Sequence, residues 1–417
     1  MKVKSFIILL MVVCSTGLVS AQSYDLLIKG GRLIDPKNNI DEVMDIAITE
    51  GKVAKVAKSI QSEDAKKVIP AEGLLVTPGL IDIHGHVFHG TQPNHYLSDG
   101  LTAVPPDGFT FRVGVTTIVD CGGPGWRNFD TFKRNIIDPS KTRVLAFLNI
   151  VGEGMRGGAW EQNTGDMDAK LSAMVASQNR QHVVGFKVAH YGNRDWIPVD
   201  RAVEAGRLAD MPIIIDFGGS TQFEPLSIQE LFFERMRPGD IYTHAYAELN
   251  GSRETIVDRE TRAFQPFVLE AQKRGIIFDV GYGGASFEFR QAIPALAAGL
   301  FPNTISTDLH TGSMNAAMKN MLNVMTTFLA MGMELPHVIQ ASTWAPAQVI
   351  KRTELGHLSE GAIADLAILQ VREGTFGVWD RTGQKVETDQ RLECEMTIKD
   401  GNIVYDLNGL AAQEIIQ

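Results

Sequence analysis

The chain has 417 residues, 44% hydrophobic and 21% charged, and its 49 acidic against 39 basic side chains give a formal net charge of −10. That balance disfavours nucleic acid and anionic membrane surfaces as partners and fits a small-molecule substrate. Three cysteines are too few for a disulfide framework, so stability must rest on a core, and the length supports one large domain with a small one.

At the amino end, Lys2 and Lys4 precede the apolar run 6–13 and then Val19-Ser20-Ala21. This charged, apolar, small-residue order is that of a secretory signal peptide, residues 1–21. The run is shorter than the roughly 20 residues that span a bilayer, so the expected product is periplasmic or secreted and free of the membrane after cleavage. Loss of two lysines makes it still more acidic. Segments 24–34 and 44–56 alternate apolar with polar residues and break at Gly30-Gly31 and Gly51, as antiparallel strands do, and 364–370 and 395–405 read alike. Because these segments bracket the rest, residues 22–75 and 352–417 are expected to form one composite β-sandwich.

Residues 76–351 follow another beat. A strand ending at His86 is followed by β-branched runs at 115–121, 143–151, 183–190, 212–219, 240–246, 275–283 and 304–310. Helical periodicity fills the gaps at 166–180, 199–210, 227–236, 262–273 and 314–331. Eight strand-and-crossover units predict an α/β fold, a (β/α)8 TIM barrel.

The active site of such a barrel lies at the carboxyl ends of its strands. Alternate residues of a strand share a face, so His84 and His86 can present both imidazoles to one ion. Lys187 falls on the fourth strand, Asp216 on the fifth, His244 on the sixth and Asp308 on the eighth. Six residues from five strands predict a metal centre. His190, Tyr191, Tyr282, Arg290 and His310 lie on or just beyond strand ends, where they would orient a substrate. Arg156 and Trp160 in the stretch 152–165, and His89 beyond His86, fall where a pocket wall is needed. Arg156 or Arg290 is a candidate partner for a substrate carboxylate. Cys121 reads as a packed thiol, the methionines from 314 to 333 as core, and the glycine runs 122–125 and 281–284 as tight turns, since no phosphate-loop lysine and serine accompany them.

Six motifs together are more specific: Pro78-Gly79-Leu80-Ile81-Asp82-Ile83-His84-Gly85-His86, Gly114-Val115-Thr116-Thr117-Ile118-Val119-Asp120, Pro238-Gly239-Asp240-Ile241-Tyr242-Thr243-His244, Phe278-Asp279-Val280-Gly281, Ile305-Ser306-Thr307-Asp308-Leu309-His310 and Gly361-Ala362-Ile363-Ala364-Asp365-Leu366-Ala367. Through them the chain resembles the amidohydrolase superfamily, and within it the metal-dependent amidohydrolase/deacetylase group near dihydroorotases and D-aminoacylases. The resemblance implies two divalent ions, usually zinc, bridged by a carbamate that carbon dioxide forms on Lys187. It implies His84, His86 and Asp308 on the first ion, Asp216 and His244 on the second, and attack by a metal-bridging hydroxide with Asp308 as general acid and base. Asp216 departs from the pattern, which usually has histidine on the fifth strand. The extra carboxylate makes the centre more nearly neutral and admits manganese or iron beside zinc. The implied activity is removal of an acyl group from a small amide or ester. The alternatives are a cyclic-amide hydrolase of the dihydroorotase or hydantoinase type and, in another class, a non-catalytic periplasmic ligand-binding protein with a degenerate metal site. A homo-oligomer is compatible with such a barrel.

Overall fold

A computed structural model describes residues 23–92, 95–97, 102–216 and 224–413. The signal peptide read at 1–21 and the last residues of the predicted fifth strand, 217–219, lie outside the described residues.

Seven parallel strands, Leu80–Gly85, Val115–Gly125, Arg143–Asn149, Val183–Val188, Ile213–Ile215, Ile241–Tyr242 and Ile277–Phe278, lie side by side in chain order. Residues 304–309 close the ring. The Val280 and Tyr282 amides donate to the Thr304 and Ser306 carbonyls at 3.1 and 3.2 Å, and on the other side the His86 amide donates to Leu309 at 2.8 Å. This is the predicted barrel, with its last strand held by bridges to both neighbours. Ile81, Ile83, Val119, Leu145, Phe147 and Ile214 fill the interior. Strict alternation fails at one informative place. The pairing of Leu80–Gly85 with Val115–Gly125 slips between Asp82 and Gly85, so that Ile83 packs in the interior while its neighbour His84 reaches Lys187 and Thr243.

Helices Ala169–Gln178 and Ile197–Ala209 match their periodicity, and 227–236 becomes one turn of α-helix, Ile228–Glu230, running into a π turn, Leu231–Arg235. The stretch 262–273 becomes helical only at Phe267–Arg274, after Pro266. The expected helix 314–331 is split, because the Asn320 side chain accepts from the Asn323 amide at 2.9 Å and caps a separate helix, Met321–Ala330. Met321 and Met325 are core, as their spacing suggests.

Both ends of the chain contribute to one sheet of eight strands. Its order is Asn402–Asp406, Lys385–Lys399, Leu366–Trp379, Leu75–Pro78, Tyr24–Asp35, Ile40–Thr49 and Lys52–Ala57, with Ala65–Pro70 also on Tyr24–Asp35. Leu75–Pro78 is the join, parallel to Tyr24–Asp35 and antiparallel to Leu366–Trp379. The sheet has its own core, including Leu33, Ile46, Val76, Ile368 and Met396. The hairpin Leu366–Trp379/Lys385–Lys399 reaches the barrel rim. There the Trp379 carbonyl accepts from the Tyr282 hydroxyl at 2.8 Å, and Asp380 accepts from the Phe289 amide at 2.9 Å.

Arg143, at the start of the third barrel strand, ties the two modules together. Its guanidinium bonds Asp365, Asp400 and Thr117, and the Asp365 side chain is only 9% exposed. Arg143→Ala leaves the buried Asp365 carboxylate with only the Asp400 amide and the more distant Lys399, and should lower the apparent unfolding free energy in urea by about 2 kcal/mol. Arg143→Lys, lacking the planar fork, should recover only part of that loss.

Candidate metal centre

Strand ends bring the six predicted residues into one buried cluster, none more than 8% exposed. Ligand atoms of His84, His86 and Asp308 all lie within 4.8 Å of one another. His86 Nε2 is 2.9 Å and His84 Nε2 3.7 Å from Asp308 Oδ1. Lys187 Nζ sits 3.3 Å from His84 Nε2 and 3.4 Å from Asp216 Oδ2, and Asp216 Oδ2 is 3.3 Å from His244 Nε2. The contacts therefore link the first, fourth, fifth, sixth and eighth strands in one chain.

The surroundings settle which imidazole nitrogen carries a proton. Thr243 gives its single hydroxyl proton to Asp279 at 2.7 Å, so at 2.9 Å its oxygen accepts from His84 Nδ1–H. The Asp279 carboxylate is held in turn by Thr304 and Ser306. His244 Nδ1–H donates to the Gly281 carbonyl at 2.5 Å. Both rings are thereby held with the Nε2 lone pair toward the cluster, the tautomer that a metal ligand needs. Imidazole nitrogens, carboxylates and a lysine able to become a carbamate make a donor set that fits divalent ions.

Charge explains the burial. Burial, and after it the Lys187 ammonium, push the His84 pKa down to about 3. Burial alone would raise Asp308, but the His86 hydrogen bond and the neighbouring histidines hold it well below its usual value. Burial likewise opposes ionisation of Asp216, and His244 and Lys187 outweigh it. Lys187 is disfavoured as a cation by burial, yet the Cys121 sulfur, Asp216 and Asp308 raise its pKa. Two glycines allow this density. A Cβ on Gly122, at φ +90°, would lie 2.6 Å from Lys187 Cγ, and one on Gly283, at φ +62°, 2.5 Å from Asp308 Oδ2. The run 281–284 leads into a turn, whereas 122–125 remains in the strand Val115–Gly125, which corrects the turn expected there; both let the backbone close on the cluster.

Among the other expected residues, His190 joins the cluster, with Nε2 3.5 Å from Asp216 and Nδ1 2.9 Å from Glu161. His310 Nε2 lies 3.8 Å from Asp308. Gln162 bonds the His190 carbonyl and the Gly192 amide, each at 2.8 Å, and so fastens the 152–166 loop beside the cluster. On that loop Arg156 bonds Glu153 at 3.0 Å and stacks over Trp160. Three expectations need correction. Tyr282 is buried and stacked on Phe287 at 4.2 Å, and its hydroxyl is committed to Trp379. Arg290 is locked between Glu288 and Glu248. Neither side chain is available to a substrate at the cluster, because the approach of the hairpin and the ion pairs beneath it consume their polar groups. Tyr191 donates to Asp195 instead. Cys121 is buried, as expected, and also accepts from Lys187 at 3.3 Å. Thr243, Asp279 and Glu161 escaped the reading of the chain. Thr243 and Asp279 stood inside quoted motifs, so a hydroxyl beside a ligand histidine was the available signal.

A histidine buried neutral costs stability as acid charges its unfolded counterpart. Between the unfolded value near 6.5 and about 3, the unfolded chain binds more protons, so stability falls with pH by about 1.4 kcal/mol per unit from His84 alone. Urea midpoints of metal-free protein between pH 6 and pH 4 should show that slope, and His84→Asn should flatten it.

A model of the amidohydrolase family matches residues 286–404. A deacetylase of Agrobacterium fabrum is 30% identical over 341 residues, covering 80% of this chain and 80% of its own, and a deacetylase of Enterococcus faecalis is 29% identical over 92% of this chain and 99% of its own. A dihydroorotase of Geobacter metallireducens is 44% identical, but over 21% of this chain. Among solved structures, one described as an adenine deaminase superposes with a TM-score of 0.81 at 28% identity, covering 92% of this chain and all of its own, and one described as a dihydroorotase with 0.79 at 28%, covering 91% of this chain and 99% of its own. With a relative of that identity matched over four-fifths of its length, and a histidine–aspartate cluster at the strand ends, the chain belongs to the amidohydrolase family and is a metal-dependent hydrolase of carbon–nitrogen bonds.

Proposed function

We propose that the protein is a deacylase that removes acetyl or a similar small acyl group from a small molecule. The observation that carries this reading is the continuous cluster from His86 and Asp308 through His84 and Lys187 to Asp216 and His244. Relatives named deacetylase align over 80–92% of this chain, which favours deacylation. His84, His86 and Asp308 would hold one divalent ion and Asp216 with His244 another. Lys187, as a carbamate, would give an oxygen to each. Zinc fits this donor set, and the second carboxylate also suits manganese or iron. Bound ions would lower the pKa of water to near neutral and polarise the scissile carbonyl.

The remaining work falls to the chain's own groups. Asp308, oriented by His86, accepts the proton of the attacking water and returns it to the leaving nitrogen or oxygen. Thr243 and Asp279 keep His84 in the required tautomer. Arg156, on the 152–166 loop that also carries Glu161, would exchange its bond to Glu153 for a substrate carboxylate. A leader ending at Ala21 would export the protein, and the eight-stranded sheet would fold over as a small sandwich beside the barrel.

Purified with bicarbonate, the protein should carry two metal ions per chain by plasma mass spectrometry, and Lys187→Ala should lose at least one. Asp308→Asn should lower kcat by about 10³-fold. Hydrolysis of N-acetyl or O-acetyl compounds is the expected activity. The likeness to a solved dihydroorotase favours a second reading, a cyclic-amide hydrolase, and ring opening of hydantoins or dihydropyrimidines without deacylation would put it first.

A further inference from the structure

We propose that His190 is a fourth side-chain donor to the ion held by Asp216, His244 and the Lys187 carbamate, oriented for that role by Glu161. The inference rests on the two-ion reading above. In that reading the first ion has His84, His86, Asp308 and one carbamate oxygen, four protein donors. The second has Asp216, His244 and the other carbamate oxygen, one fewer. His190 stands beside that gap, its Nε2 3.5 Å from the same Asp216 Oδ2 that lies 3.3 Å from His244 and 3.4 Å from Lys187. Asp216 is thus the hub of three nitrogen contacts.

Two features of His190 are costly unless its Nε2 has work to do. Its backbone is left-handed, φ 49°, a conformation shared among the cluster residues by His244 and Asp308, both at φ 53°. Its Nδ1 is bonded to Glu161, whose side chain is only 2% exposed while the imidazole is 57% exposed. Burying a carboxylate to grip a half-exposed ring gains little stability, but it sets the tautomer and aims Nε2, the arrangement in which a carboxylate positions a metal-ligating histidine. Glu161 is itself fixed by the Gly157 amide at 2.9 Å, and Gln162 next to it bonds the His190 carbonyl. The 152–166 loop therefore builds a cradle around one imidazole.

The test is titration of the metal-free protein with cobalt(II) in bicarbonate, read by visible absorption and by metal content after gel filtration. The variants are His190→Asn, Glu161→Gln and Lys187→Ala. Asparagine tolerates the left-handed backbone, so His190→Asn removes the imidazole without adding strain. The proposal expects wild type to take up two ions. It expects His190→Asn to bind the second at least about 100-fold more weakly with an altered second-site spectrum and an unchanged first site, and Glu161→Gln to weaken the second about 10-fold. Two ions in His190→Asn with unchanged affinities and spectrum would overturn the assignment of His190 and leave the two-ion reading standing. Fewer than two ions in wild type would overturn the two-ion reading and the assignment with it; two that ignore Lys187→Ala would overturn the carbamate bridge and the donor count from which the assignment is argued.

Discussion

An ammonium and two carboxylates packed side by side in the barrel mouth, with hardly any water contact, constrain everything around them. Lys187, Asp216 and Asp308 would each be prohibitively expensive to bury alone. Together with His84, His86 and His244 they offset one another, and the strands must deliver all of them to one place. The slip in the first strand, the glycines that leave room beside Lys187 and Asp308, and the left-handed turns at His244 and Asp308 are local departures from regular structure that serve this one requirement. A site of this kind is preorganised, with its charges already oriented before a ligand arrives.

The hydroxyls and carboxylate behind the cluster extend the same logic outward. Thr243, Thr304 and Ser306 converge on Asp279, so the ends of the sixth, seventh and eighth strands are coupled through one buried anion. Asp120 likewise receives the amides of Val87, Phe88 and Gly123, joining the segment after the first strand to the end of the second. Both carboxylates are fully buried, and they brace the barrel strands around the cluster.

Much of this was legible in the order of residues. The barrel strands and the six cluster residues stood out because strand ends in such a fold share a location, so that ligand-type residues on five of them reinforce one another. Helix boundaries were less legible where a cap such as Asn320 or a proline such as Pro266 cut a longer apolar periodicity. Tyr282 and Arg290 misled for a different reason. Their positions along the chain were those of pocket residues, but Trp379 and Glu248, which claim them, come from segments whose approach no local pattern announces, and only Glu288 is a neighbour of Arg290 in sequence. Glu161 was invisible for the same reason in reverse, since its worth depends on a histidine 29 residues away.

That approach has a consequence for how the molecule comes into being. The barrel's seventh-strand turn is braced by the hairpin tip at Trp379 and Asp380, and the sheet strand Leu75–Pro78 finds one of its partners only in Leu366–Trp379. A chain emerging from the ribosome therefore carries its first barrel strand, histidines included, for nearly three hundred further residues before the sheet that anchors it can be completed. Early segments must wait in unfinished company, with unpaired edges exposed, and the last sixth of the chain acts as the latch that ends the wait.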